Sequence, residues 1–305
     1  MLKMKHIHDT KGLKYIPKIY SIEKGSISAF NRSIMFDGLI DDNIKPSNPE
    51  LKTPPTFTRY LIPGELEQPI HNPYSDRLDG SSEWHYFSDI NPNDTITVSG
   101  NISDVKIRNG SLGEMCIVKS TLNYVNQQDK LTCTQISNMI YYNYSSNTNI
   151  KSIPYINSSI KNPSDISPIT NFGSLNSGDK LPGLLKKPST KQLVMYAGAS
   201  RDFYQVHYDQ QFAQSIGLPR VIVHGALKAA FLGQMITNSL NESAVLDRLY
   251  VRYNTLDFEG CVLECKGTIT KIANVSSGRK IDCDIWIENS EGIKTTEGNA
   301  TIKLS

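Results

Sequence analysis

Apolar and polar residues alternate along Val262-Leu263-Glu264-Cys265-Lys266-Gly267-Thr268-Ile269-Thr270, the two-residue period of a strand buried on one face. The spacing predicts strands at residues 247–254, 262–272, 280–289 and 293–304, separated by turns rich in Ser, Gly and Asn. Ahead of this series the pattern changes. Residues 225–240 hold Ala226, Leu227, Ala229, Ala230, Phe231, Leu232, Met235 and Ile236, apolar on nearly every side, which predicts a buried helix. A buried helix followed by an antiparallel meander predicts an α+β unit in which a sheet wraps a helix.

Further upstream, residues 181–187 read as extended. Residues 190–199 read as a helix with Ser189 or Thr190 at its N-cap. Asp209 is placed to cap a short helix at 210–216, which Gly217 and Pro219 stop. The first part of the chain repeats this plan in worn form. Residues 26–35 stand for the helix at 190–199, and Thr53-Pro54-Pro55-Thr56-Phe57 stands where the buried helix would begin. Strand-like runs follow at 81–87, 94–105, 112–124 and 131–142. Asn126-Gln127-Gln128-Asp129 falls where Asn289-Ser290-Glu291-Gly292 falls in the second half. Between about Tyr142 and Lys180 the composition shifts to Asn, Ser, Ile and Pro with no period, as in a connector. The expected organisation is a first domain at 10–145, a linker at 146–175 and a second domain at 176–305.

Totals narrow the function classes. A chain of 305 residues carrying net charge +2 has room for two cores, and it lacks the basic excess of a phosphate-driven nucleic-acid binder. Five cysteines form no Cys-x-x-Cys pair and have no histidines at ligand spacing, so they read as structural thiols, with Cys261 and Cys265 on one side of a strand, and no metal is expected. No apolar run is long enough for a membrane span, and no glycine-rich phosphate loop follows a strand. A soluble cytoplasmic chain without a bound cofactor is the expectation.

One stretch carries chemistry. Asp202 and His207 lie five residues apart on a predicted loop, and His224-Gly225 opens the apolar helix. A carboxylate, an imidazole and a helix N-terminus suit addition of water to an activated double bond. The acid/base pair would hold and deprotonate a water. The Gly225 N–H, unpaired at a helix start, would stabilise an enolate oxygen. Glu83, Trp84 and His85 alternate along a strand, with Trp84 and Tyr86 on one face, and read as packing between the halves.

The run from Ser200 through Asp202, Phe203, His207, Tyr208, Asp209, Phe212, Ala213, Gly217, Leu218, Pro219, Val223, His224 and Gly225 resembles the MaoC-like dehydratase and (R)-specific enoyl-CoA hydratase family. Pro54 to Phe57, Glu83 to Phe87 with Pro92 and Asp94, and Asn126-Gln127 resemble the N-terminal dehydratase-like domain that often precedes it. The resemblance implies a double hot-dog fold, two antiparallel sheets each wrapped around a central helix, with the dyad in the second half alone. It implies catalytic roles for Asp202, His207 and Gly225, and an acyl-CoA thioester as substrate. Arg201, Tyr204 and Gln205 replace the usual Gly, Asn and Pro of the loop. Arg201 and Tyr204 are candidates to line the acyl or CoA path, and His224 is grouped with them as a contact residue of mainly structural character. The first half would supply volume for an acyl tail. The reaction implied is hydration of a trans-2-enoyl-CoA, or its reverse. The alternatives are a thioesterase on the same fold and a non-catalytic acyl-CoA-binding subunit. A homodimer is the expected assembly.

Overall fold

The computed structural model describes residues 4–35, 52–110, 113–143, 174–240, 243–276 and 278–304. The expected linker at 146–175 lies outside them apart from residues 174 and 175. In chain order the first half forms β1 (Lys5–His6), β2 (Lys14–Ser21), α1 (Lys24–Met35), a 3-10 turn (Pro55–Tyr60), β3 (Ile70–His71), β4 (Asp76–Tyr86), β5 (Thr95–Gly110), β6 (Gly113–Val125) and β7 (Leu131–Tyr142). The second half forms β8 (Leu184–Lys186), α2 (Thr190–Ser200), α3 (Gln210–Ser215), α4 (Gly225–Ser239), β9 (Ala244–Tyr253), β10 (Leu263–Val275), β11 (Gly278–Asn289) and β12 (Lys294–Leu304).

Ten strands make one antiparallel sheet in the order β2-β5-β6-β7-β4-β9-β12-β11-β10-β8. Counted outward from the β4–β9 seam, the two runs match strand for strand, which is the double hot-dog plan. The half-sheets are joined edge to edge, because β4 pairs with β9 through Ser82↔Val251 and Trp84↔Leu249. Glu83 and Arg248 form an ion pair across this seam at 2.6 Å, so the Glu83–Phe87 run packs the halves together as its alternation predicts. The repeat extends to the turns. The side-chain oxygen of Asn126 accepts from the N–H groups of Gln128 and Lys130, and that of Asn289 accepts from Glu291 and Ile293.

The halves differ in what fills the concave face. In the second, α4 is buried along nearly its whole length, as its all-round apolar pattern dictates. In the first, among the described residues, the corresponding place holds the Pro55–Tyr60 turn. Pro54 is extended at its N-cap, and Pro55 takes the first helical position, where a missing N–H costs nothing. This turn anchors the first core through one polar knot. Trp84, fully buried, donates to the Thr58 hydroxyl at 2.9 Å, and that hydroxyl donates to the Gln135 side chain at 2.6 Å.

Two details depart from the sequence reading. Cys261 sits in the turn before β10 and is half-buried, whereas Cys265 lies on the strand and is fully buried. Within apolar α4, Lys228 is also fully buried. Its ammonium donates to Asp257 at 2.7 Å and to the Thr255 carbonyl at 2.9 Å. The backbone carbonyl of Asp257 in turn accepts from the Val223 N–H at 2.8 Å. One ion pair thereby ties the first turn of α4 to the loop that flanks its start. Among the described residues, no helix is long and apolar enough to cross a membrane.

Breaking a buried pair from one side leaves an uncompensated charge. Lys228→Met should therefore destabilise the protein by about 3–5 kcal/mol, and Lys228→Met with Asp257→Leu should recover most of that loss. Urea unfolding of both variants measures the difference, and equal losses would contradict the pairing.

Candidate active site

The dyad loop begins where α2 ends. Ser189 caps α2 at its start, its hydroxyl accepting from the Gln192 N–H. At its other end Arg201 adopts a left-handed backbone, φ 62° and ψ 20°. That conformation suits glycine and costs another residue roughly 1–2 kcal/mol, which gives a physical reason for the glycine usual at this place. Here the arginine is held by its side chain. The guanidinium stacks on the Tyr60 ring at 4.1 Å and donates to the Tyr60 hydroxyl at 2.7 Å. Ser200 shapes the next residue, its hydroxyl accepting from the Asp202 N–H at 3.3 Å. The chain then makes a 3-10 turn at Gln205–His207, and Asp209 caps α3 by accepting from the Phe212 N–H.

The segment before α4 receives this loop. Both backbone groups of Ile222 are committed to it. The Ile222 N–H donates to the Val206 carbonyl at 3.1 Å, and the Ile222 carbonyl accepts from His207 Nδ1 at 2.9 Å. A carbonyl only accepts, so the proton of neutral His207 resides on Nδ1 and the Nε2 lone pair is left available. Burial lowers the His207 pKa below the ordinary histidine value, against the opposing pull of Asp202. The ring is therefore a neutral base at neutral pH.

His224 lies behind His207. The two rings stack with centroids 3.6 Å apart and planes 22° from parallel. His224 is fully buried and supports the His207 ring from behind. Its Nε2 donates to the Asp202 backbone carbonyl at 3.3 Å, which fixes the loop at the carboxylate residue. Burial and the neighbouring His207 hold its pKa well below the ordinary value. Asp202, His207 and His224 each present an atom able to bind a metal, all within 4.8 Å of one another. Rings stacked nearly face to face aim their in-plane lone pairs side by side rather than at a common point, and Ile222 holds His207 Nδ1. The arrangement suits proton transfer better than tetrahedral ligation.

Gly225 begins α4, and among the described residues nothing accepts from its N–H. A Cβ built there would lie 3.3 Å from the Asp79 side chain and 3.4 Å from the Tyr253 ring, so glycine is needed for close approach. Tyr204 is half-buried and edge-on to His207, with centroids 6.1 Å apart. Its hydroxyl donates to Asp76 at 3.2 Å, and Arg77 lies over its ring. Burial, with Asp76 beside it, pushes its pKa up to about 12. A cavity of about 210 Å³ lies beyond Tyr204, bounded otherwise by first-half residues including Tyr74, Arg77 and Tyr141. Tyr204 lines this cavity and also meets His207, while Asp202, His207 and Gly225 are not among the lining residues and Arg201 points instead to Tyr60.

Sequence reading missed the charges that the first half brings here. Arg59, from the 3-10 turn, pairs with Asp79 of β4 at 3.1 Å. Burial works against the Arg59 charge, but Asp79, Tyr196, Tyr253 and Asp202 around it favour the charge more and raise its pKa. The Tyr196 hydroxyl and His224 Nδ1 are buried without a partner among the described residues. A Thr-Arg-Tyr turn and an Asp on an alternating strand carry no spacing signal that would have singled them out.

Residues 9–135 match the family model for the FAS1-like, dehydratase domain region, and residues 177–301 match the one for the MaoC like domain. A solved structure described as a MaoC-like dehydratase superposes with TM-score 0.74 at 17% identity, covering 98% of this chain and 99% of that one. The peroxisomal multifunctional enzyme type 2 from Drosophila melanogaster superposes with TM-score 0.62 at 16% identity, over 96% of this chain and 48% of its own. A Mycobacterium tuberculosis protein described as having a double hotdog fold superposes with TM-score 0.58 at 11% identity, over 97% and 96%. No curated protein matches the sequence.

The two histidines make stability depend on pH in a definite direction. Their folded pKa values lie below 6.5, so the unfolded chain binds more protons as pH falls through that value, and stability declines with it. The melting temperature should drop from about pH 7 to about pH 5.5, and His207→Gln should flatten the slope. An unchanged slope in that variant would contradict a buried neutral ring.

Proposed function

Because the chain belongs to the MaoC-like dehydratases in their double hot-dog form, we propose that it is a hydro-lyase that adds water to a trans-2-enoyl-CoA, or removes it from the 3-hydroxyacyl-CoA. The (R) product is proposed on the family resemblance. One observation carries this reading. The Asp202 carboxylate and the His207 ring converge within 4.8 Å beside an open helix start, and the Ile222 carbonyl leaves Nε2 of that ring unprotonated.

The chemistry follows from the placement. A water held between Asp202 and His207 gives one proton to Nε2 as its oxygen bonds to Cβ of the enoyl group. The π pair moves onto the thioester oxygen, where the Gly225 N–H and the positive end of α4 stabilise the enolate. His207 then returns the proton to Cα, and Asp202 holds the water by its second hydrogen throughout. Low basicity in His207 helps both steps, since the ring must accept and release a proton in one cycle. The cavity beyond Tyr204, walled by the first half, supports the idea that this half receives part of the acyl-CoA. Five free cysteines are in keeping with a reducing cytoplasmic setting.

Asp202→Asn and His207→Ala should each lower hydration of crotonyl-CoA, or of a longer enoyl-CoA, by about 10²–10⁴-fold while far-ultraviolet circular dichroism stays unchanged. The loss of absorbance by the conjugated thioester reports turnover. Near-normal rates in either variant would remove the mechanism. Tight enoyl-CoA binding without turnover by the wild type would make the chain a binding subunit, and thiol release from a saturated acyl-CoA would make it a thioesterase.

A further inference from the structure

The first half lacks the dyad, yet it places a charged pair against the catalytic helix start. Arg59 and Asp79 are joined at 3.1 Å, with side chains 16% and 11% exposed. Asp79 touches the position that a Cβ at 225 would take. An enolate oxygen accepting from the Gly225 N–H would therefore form at the end of α4 against which Asp79 packs. Two negative charges near one another in a water-poor site repel strongly. Arg59 is the cation placed to offset both. It reaches Asp79 through Nη2 alone. Among the described residues its Nε and Nη1 donors take no partner, although the group lies within Coulombic reach of Asp202 and the Tyr196 hydroxyl. That hydroxyl is itself buried without a partner among the described residues.

We propose that Arg59 is a catalytic residue contributed by the first half, donating through its unengaged N–H groups to the thioester oxygen alongside the Gly225 N–H, with Asp79 holding the guanidinium in place. This rests on the hydratase reading above. Electrostatic support of a developing oxyanion by one donor is worth about 10²–10³-fold in rate. The fork of arginine matters, because one amino group is held by Asp79 while Nε and Nη1 take no partner among the described residues. The first half then has a share in the chemistry itself, and neither half is a complete enzyme.

The alternative is an ion pair that merely glues the 3-10 turn to β4, and a pair of variants separates the two. Arg59→Met alone removes the cation and strands Asp79. Arg59→Met with Asp79→Leu removes both charges and leaves an apolar contact, which a purely structural pair tolerates. Enoyl-CoA hydration should fall at least a hundredfold in kcat in both variants, with the double variant regaining its melting temperature and not its rate. Arg59→Lys, which keeps the charge and loses the fork, should retain an intermediate rate. A double variant as fast as wild type would overturn the role of Arg59 while leaving Asp202 and His207 in force. A wild type that hydrates no enoyl-CoA would overturn this role together with the hydratase reading on which it rests. If Arg59→Met does not fold, the double variant and Arg59→Lys still decide, since wild-type kcat in either one contradicts the proposal.

Discussion

Everything at the site hangs on the backbone of Ile222. Its N–H and carbonyl both go to the dyad loop, one to the Val206 carbonyl and the other to the His207 ring. A side chain could rotate away from such a bond, but the backbone of a buried segment cannot. This one is clamped on its far side as well, because Ile222 bridges to Phe258 and the next N–H, of Val223, donates to Asp257. The same three-residue segment leads into α4 at Gly225. One piece of backbone thus sets the tautomer of the base, the position of the loop and the place where the helix dipole emerges. The Lys228–Asp257 pair explains how that piece is kept still. It locks the first turn of α4 to the loop at 255–258 in the protein interior, where the bond is shielded from water and from salt.

Joining two half-sheets at β4 and β9 has a chemical consequence. The seam brings the inner face of β4 over the start of α4, so that Asp79 meets Gly225 and Tyr253. Tyr60, from the turn that replaces the first half's helix, holds Arg201 in its left-handed conformation. Among the described residues, the 3-10 turn of the first half and the arginine in the second half's loop therefore fit each other. The turn exposes Arg59 and Tyr60 to the site, and the loop residue that would normally be small becomes an arginine braced on the tyrosine.

Much of this was legible in the sequence because it follows from local rules. Strand alternation placed β9 to β12 within a few residues, Ser189 and Asp209 announced themselves as caps, and the all-round apolar pattern of α4 marked it as buried. The paired asparagine turns revealed the repeat. What stayed hidden depends on contacts distant in the chain. The buried charge of Lys228 was passed over in a helix read as apolar, and its partner Asp257 is 29 residues away. Arg59 and Asp79 gain significance only when the seam forms. The departure at Arg201 was visible as a substitution, and its left-handed backbone and its brace on Tyr60 were not, since Tyr60 lies 141 residues upstream.

Several of the places where local rules are broken lie around the dyad. Arg201 sits at φ 62°, the Tyr196 hydroxyl and His224 Nδ1 are buried without partners among the described residues, and Arg59 and Asp79 form an ion pair with little exposure. Each costs stability by its own mechanism: backbone strain, a lost hydrogen bond and desolvation of ions. Other departures lie elsewhere, at Asn93 and Asp129 with positive φ and at buried polar atoms of Tyr86, Asn289, Thr295 and Thr296 without partners among the described residues. Those around His207 and the start of α4 are set apart by their place, where a polar group of a substrate could meet them. The polar atoms left unpaired there are costly without a substrate. An oxygen that becomes negative during the reaction is the partner that would turn those costs into stabilisation of the transition state.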